Sequence, residues 1–136
     1  MAEMTSPKNF IYIAAASAFL ASGASVLAQA PTQADQLKLA YQAGRNQLGI
    51  LSYCNDKGFI GTDVIDIQKK LLGMVPVPAD KSGGDSAEAQ GRTGTIAAMG
   101  IQQNIETIAK AQNATAETYC KQIGAVVTQM GAALPK

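Results

Sequence analysis

Apolar positions recur along the chain with a helical period. Between residues 33 and 55, Leu37, Tyr41, Gly44, Leu48, Leu51 and Asn55 fall at spacings of three or four. The apolar members form one narrow stripe, which predicts an amphipathic helix. Gln33, Gln36, Lys38, Gln42, Arg45 and Gln47 cover its other faces. Asn55-Asp56-Lys57-Gly58 is a stop, polar and closed by a residue that accepts positive φ. A second helix is expected after Gly61, with Thr62 as N-cap and Asp63 in the first turn. Val64, Ile67, Leu71 and Met74 form its inner stripe, Asp66 can pair with Lys70, and Pro76 and Pro78 end it.

Periodicity then lapses. Residues 76–94, PVPADKSGGDSAEAQGRTG, are dominated by Gly, Pro, Ser, Asp and Ala. The stretch is expected to be a long flexible loop, either a plain connector or a docking loop that orders on a partner. From Thr95 to Leu134 the helical pattern resumes through Ile101, Ile105 and Ile108, then Tyr119, Ile123, Val126, Met130 and Leu134. One helix of that length would reach about 60 Å, more than its partners can cover. A break near Asn113 is therefore expected, giving helices at about 95–112 and 114–133. No segment reads as a convincing strand. The expected fold is all-α, an antiparallel bundle of three to four helices forming one domain over 29–136.

The first residues carry a different pattern. Phe10 to Leu20 reads FIYIAAASAFL, an apolar run of signal-peptide length, followed by Ala21, Ser22, Gly23 and Ala24. Cleavage after Ala30 would leave Pro31 beside the cut, where a fixed φ and a missing N–H suit the peptidase poorly. Cleavage after Ala28 is preferred, so 1–28 is read as a signal peptide. The rival is an uncleaved anchor, since Phe10 to Ala30 is 21 residues. Its Ala, Ser and Gly content and Gln29 make its transfer into lipid weak. The expected location is the periplasm, peripheral to the inner membrane only through partners.

An oxidising compartment changes the reading of the two cysteines. Cys54 and Cys120 are the only ones in the chain, and each follows a tyrosine. A structural disulfide is the expected state, worth about 4 kcal/mol by loop entropy. The alternative, a redox-active pair, usually takes Cys-x-x-Cys spacing, which this chain lacks.

Composition removes most chemistry. The chain of 136 residues contains no histidine and no tryptophan, and only 15% of it is charged. Without histidine it cannot alone build a Ser-His-Asp or Cys-His pair, a histidine zinc site or a proximal haem ligand. A net charge of +1 gives no basic footprint for nucleic acid. Asp63 and Asp66 lie one turn apart, but Lys69 and Lys70 favour a solvated ion-pair face. Lys81-Ser82-Gly83-Gly84-Asp85 and Gly91-Arg92-Thr93-Gly94 lack phosphate-loop spacing. Glu106 and Glu117 are not placed as an acid–base pair, and Met74, Met99 and Met130 are too dispersed for a copper site. The expected site inventory is empty of catalytic, cofactor-binding and metal-binding residues.

What remains is an excess of uncharged polar groups. Residues 29–136 hold 12 Gln and 4 Asn against 9 acidic residues. Gln102, Gln103, Asn104, Gln112 and Asn113 are expected to line one helix. Such groups can be covered by a partner without desolvating an ion. They are read as candidate partner-facing residues, or equally as a neutral soluble surface.

The leader ending Val26-Leu27-Ala28, the short exported chain, the Tyr53-Cys54 and Tyr119-Cys120 pairs and the Gln/Asn-rich helices together carry a resemblance. The chain resembles the small, roughly 15 kDa subunit of the membrane-bound quinohaemoprotein alcohol dehydrogenases of acetic acid bacteria. In that family the large subunit carries pyrroloquinoline quinone and haem c, a cytochrome subunit passes electrons to ubiquinone, and the small subunit holds no cofactor. The resemblance implies a non-catalytic accessory subunit that supports assembly or stability, with larger periplasmic subunits as partners. It transfers no functional residue. The alternative function is a stand-alone periplasmic stress chaperone or an inhibitor or immunity protein. The low charge argues against a pH-switched chaperone.

Overall fold

A computed structural model describes residues 29–136. The signal peptide expected over 1–28 lies outside the described residues. Among the described residues the fold is mostly helical, with five helices, one two-stranded sheet and one disulfide. Helix α1 runs Gln33–Asp56, α2 Thr62–Gly73 and α3 Ser82–Arg92. Strands β1 (Thr95–Ala98) and β2 (Ile101–Asn104) follow, then α4 (Ile105–Ala111) and α5 (Ala116–Ala132).

Helix α1 is the central element and packs against α2, α3, α5 and β1. It starts with a capping box: Asp35 N–H donates to the Thr32 hydroxyl at 3.2 Å, and the Asp35 carboxylate accepts from Thr32 N–H at 3.1 Å. It stops at Lys57 and Gly58, as the sequence predicts. Its C-terminal half is buried almost all round, through Leu48, Gly49, Ile50, Leu51, Ser52 and Cys54. A helix covered on every side loses the single-stripe signature, so the predicted stripe missed Asn46, Gly49 and Ile50.

The core has two parts that adjoin through Ile60 and Ile123, which pack against both. One gathers Ile50, Cys54, Ile105 and Cys120, with Tyr53, Phe59, Ile96 and Tyr119 against it. The other gathers Leu51, Val64 and Val127, with Ile60, Ile67, Leu71 and Ile123. Cys54 and Cys120 form the expected disulfide, with Cα atoms 5.6 Å apart and no side-chain exposure. The bond ties the end of α1 to the first turns of α5 inside apolar packing. On α5 the buried face is Cys120, Gly124 and Val127, one position beyond the predicted stripe. Val126 and Met130 are exposed instead.

The structure corrects the reading of 76–94. The segment is not a long loop: α3 occupies most of it. Its buried face is Gly84, Ala87 and Gly91, too small to register as an apolar stripe. Small residues there let two backbones meet. A Cβ at Gly91 would overlap the Asn46 carbonyl oxygen, and one at Gly49 would lie 2.9 Å from the Arg92 amide nitrogen. Glycines that weaken an isolated helix are, at this crossing, the condition for packing.

Charge then fastens α3 to α1. Arg45 Nε donates to Glu88 at 2.6 Å, Nη2 to Asp85 at 2.8 Å and Nη1 to the Tyr41 hydroxyl at 2.8 Å. Glu88 also accepts from Arg92 at 2.8 Å. Burial works against the Glu88 charge, but Arg92 and Arg45 outweigh it and hold its carboxyl below the ordinary value of 4.5. Burial likewise opposes the Arg45 charge, and hydrogen bonds to Glu88 and Tyr41 still raise its pKa. A depressed carboxyl contributes stability that is present above its unfolded pKa and is lost as pH falls through its folded pKa. Urea midpoints are therefore expected to hold from pH 7 to about 5 and to fall below about 4.5. Glu88→Gln should be the less stable protein at pH 7, and the gap should narrow on acidification. A gap that stays constant down to pH 3 would contradict this account.

The all-α expectation is corrected in a second place. Residues 95–104 form an antiparallel hairpin in the register Thr95↔Asn104, Ile96↔Gln103, Ala97↔Gln102 and Ala98↔Ile101. Its two turn residues, Met99 and Gly100, have φ of 51° and 77°. Two positive φ values in a two-residue loop are what a type I′ turn needs, and its twist matches that of the strands. The helix expected from 95 therefore begins only at Ile105, and the helices among the described residues number five rather than three or four. The break near Asn113 is present: α4 ends at Ala111 with Gln112 as its C-cap, Asn113 takes φ 54°, and Thr115 caps α5.

Candidate interaction surface

One side chain ties the hairpin to both α1 and α3 by hydrogen bonds. Asn46, buried on α1, donates from Nδ2 to the carbonyls of Ala87 at 2.9 Å and Thr95 at 3.0 Å. Its Oδ1 accepts from Ala97 N–H at 3.1 Å. Ala97 and Gln102 face each other across the ladder as a non-hydrogen-bonded pair, because the pair next to a two-residue turn is Ala98 and Ile101. The outward groups of β1 thus meet Asn46, which binds α1, α3 and β1 together. The sequence pattern assigns Asn46 neither to the apolar stripe nor to the polar positions around it, and nothing in its spacing marks it as interior.

Between α1 and β1 the surface is apolar and concave. A cavity of about 270 Å³ is lined by Leu39, Ala40, Gln42, Ala43, Ala98 and Met99. Next to it, sharing Ala43, Ala97 and Ala98, lies a second of about 210 Å³ that reaches Ile50, Ile96, Tyr119 and Ile123. Neither is lined by an Asp, Glu, Lys or Arg. Met99 is 89% exposed at the tip, and Leu39 is 46% exposed on α1. Tyr119 has its pKa raised by burial, so its hydroxyl stays neutral here. The groove is therefore an uncharged apolar cleft with large exposed side chains at its rim, features that mark recognition surfaces.

The candidate partner-facing residues do not lie on one helix. Gln102, Gln103 and Asn104 belong to β2 and are exposed; Gln112 and Asn113 lie at the α4–α5 turn and are also exposed. Two of them have local structural work. Asn104 Oδ1 accepts from Glu106 N–H at 2.9 Å and caps α4, and Asn113 provides the left-handed residue after it. Gln102 and Gln103 flank the exposed hairpin tip.

The other marked residues are surface pairs. Asp66 pairs with Lys69 at 3.8 Å rather than with Lys70, and Glu117 with Lys121 at 2.6 Å. Glu106 accepts from the Tyr53 hydroxyl at 3.3 Å. Among the described residues, no three His, Cys, Asp or Glu gather as metal ligands, and no helix is long and apolar enough to cross a membrane. In comparisons with known proteins, no family, no curated protein and no solved structure matches the chain.

Proposed function

We infer that this chain is a non-catalytic accessory subunit of an exported, membrane-bound dehydrogenase, and that it docks through the cleft between α1 and β1. The observation that carries the reading is that cleft: apolar, free of formal charge, and rimmed by exposed Leu39 and Met99. Charge-depleted apolar centres are what stable subunit contacts bury. The resemblance to the small subunit of quinohaemoprotein alcohol dehydrogenases supplies the class of partner. In that reading pyrroloquinoline quinone and haem c reside in the larger subunits, and this chain supports their assembly in the periplasm.

Purification from the native envelope in mild detergent tests it. Stoichiometric recovery with haem- and quinone-bearing subunits is the expected result. Met99→Asp combined with Leu39→Asp should release the chain, because both side chains are exposed and their replacement spares the core. Recovery of the intact chain without any larger subunit would overturn the reading.

A further inference from the structure

On the edge of the hairpin away from β1, strand β2 pairs with no other strand among the described residues. The register directs the backbone N–H and C=O of Gln102 outward, as it does those of Ala97 on the inner edge. Asn46 meets the Ala97 N–H and the Thr95 carbonyl on the inner edge, whereas Gln102 has no backbone partner among the described residues and all four β2 residues are exposed. Exposed edges are usually guarded by charge, proline or a bulge. Here Ile101-Gln102-Gln103-Asn104 has no charge and no proline, and no ionisable residue occurs from Gly94 to Ile105. The register shows no bulge. Ile101, at 62% exposure, projects from this same strand.

We propose that β2 pairs with β2 of a second copy of this chain, antiparallel about a two-fold axis at Gln102, giving a four-stranded sheet across the dimer. Gln102 of each copy donates its N–H to the other and accepts in return. Ile101 lies opposite Gln103 of the second copy and diagonal to its Ile101. A second copy fits on charge, because the surface it brings is the same neutral one and a two-fold axis opposes no like charges. It also fits on strand number, since two-stranded sheets are marginal and longer ones are not. The proposal does not depend on the accessory-subunit reading.

The test is the association state of the whole chain, produced with its own leader and followed by sedimentation velocity over a range of concentrations. A reversible dimer is expected. Gln102→Pro removes the outward N–H without touching the ladder bonds to β1, and should raise the dissociation constant about tenfold or more. Gln102→Ala should leave it within about threefold, because the contact is through backbone. Ile101→Lys brings like charges together across the axis and should also dissociate the pair. Amide exchange gives a readout that does not need the proline variant to fold: the Gln102 N–H should be protected in the dimer and unprotected at dilution. A monomer at every concentration overturns the proposal. So does a dimer indifferent to Gln102→Pro and Ile101→Lys, or one with a fast-exchanging Gln102 amide. None of these results would bear on recovery of the chain with larger subunits.

Discussion

Replacing Cys54 and Cys120 together with alanine should cost the fold more than the roughly 4 kcal/mol that loop entropy alone contributes. The bond joins positions 66 apart and sits at zero exposure among Ile50 and Ile105. Two effects add. The unfolded chain regains the freedom of a long closed loop, and the interior loses two sulfur atoms that fill it. Against a typical net stability of about 5–15 kcal/mol, a small domain could lose most of its margin. Urea unfolding of the oxidised protein, the reduced protein and the double-alanine variant separates the effects. Reduction should remove the loop contribution, and alanine should remove that and the packing. If the reduced protein unfolds at the same urea concentration as the oxidised one, the bond carries no stability and this account fails.

Gly49→Ala should be the most damaging single methyl added to the chain. The new Cβ would overlap the Glu88 carbonyl oxygen and press on the Arg92 amide and the Gly91 Cα, each at 2.9 Å. All three are backbone of α3, so no side chain can turn aside. Either α3 moves away from α1 and weakens the Arg45 ion pairs, or α1 distorts. A loss of about 3 kcal/mol is expected, at the upper end for overpacking. Gly73→Ala is the matched control. Nothing lies within 4 Å of its added Cβ at the exposed end of α2, and it should stabilise by about 0.5 kcal/mol. Thermal or urea unfolding of both variants checks the pair. Equal midpoints would show that α1 and α3 are not in the close contact described.

The parts of this fold that were legible in sequence are those that bury large side chains on one side and end in strong caps. α1 was foreseen within a residue, and α2 starts where expected, although Gly61 rather than Thr62 is its N-cap, it ends at Gly73 before the prolines, and Met74 of its expected stripe is exposed. The disulfide was legible because the chain has only two cysteines, and an expected export makes each the other's simple partner. α3 was hidden because its contact face is Gly84, Ala87 and Gly91. Hydrophobic periodicity records large apolar groups and is blind to a face defined by what is missing. The hairpin was hidden for two reasons. Ile101, Ile105 and Ile108 share a helical spacing that strand and helix happen to divide between them, and Met99 at positive φ has none of the usual turn signature. The α1–β1 cleft was out of reach for a further reason. It brings Leu39 beside Met99, and their adjacency depends on the hairpin and on Asn46. Of the uncharged residues singled out in sequence, Gln102 lines an adjoining hollow with Leu39 and Met99, though from a strand.

The Cys54–Cys120 bond also divides the chain into a ring and two tails. Inside the ring lie α2, α3, the hairpin and α4; outside lie most of α1 and most of α5. A protease that cuts the exposed Ala79–Lys81 connection would therefore not separate the protein into two molecules. The fragments would stay linked through sulfur, and the nicked form would divide only when reduced. This topology gives the protein tolerance to a first cut, with Leu39 still carried on the same covalent body as Met99.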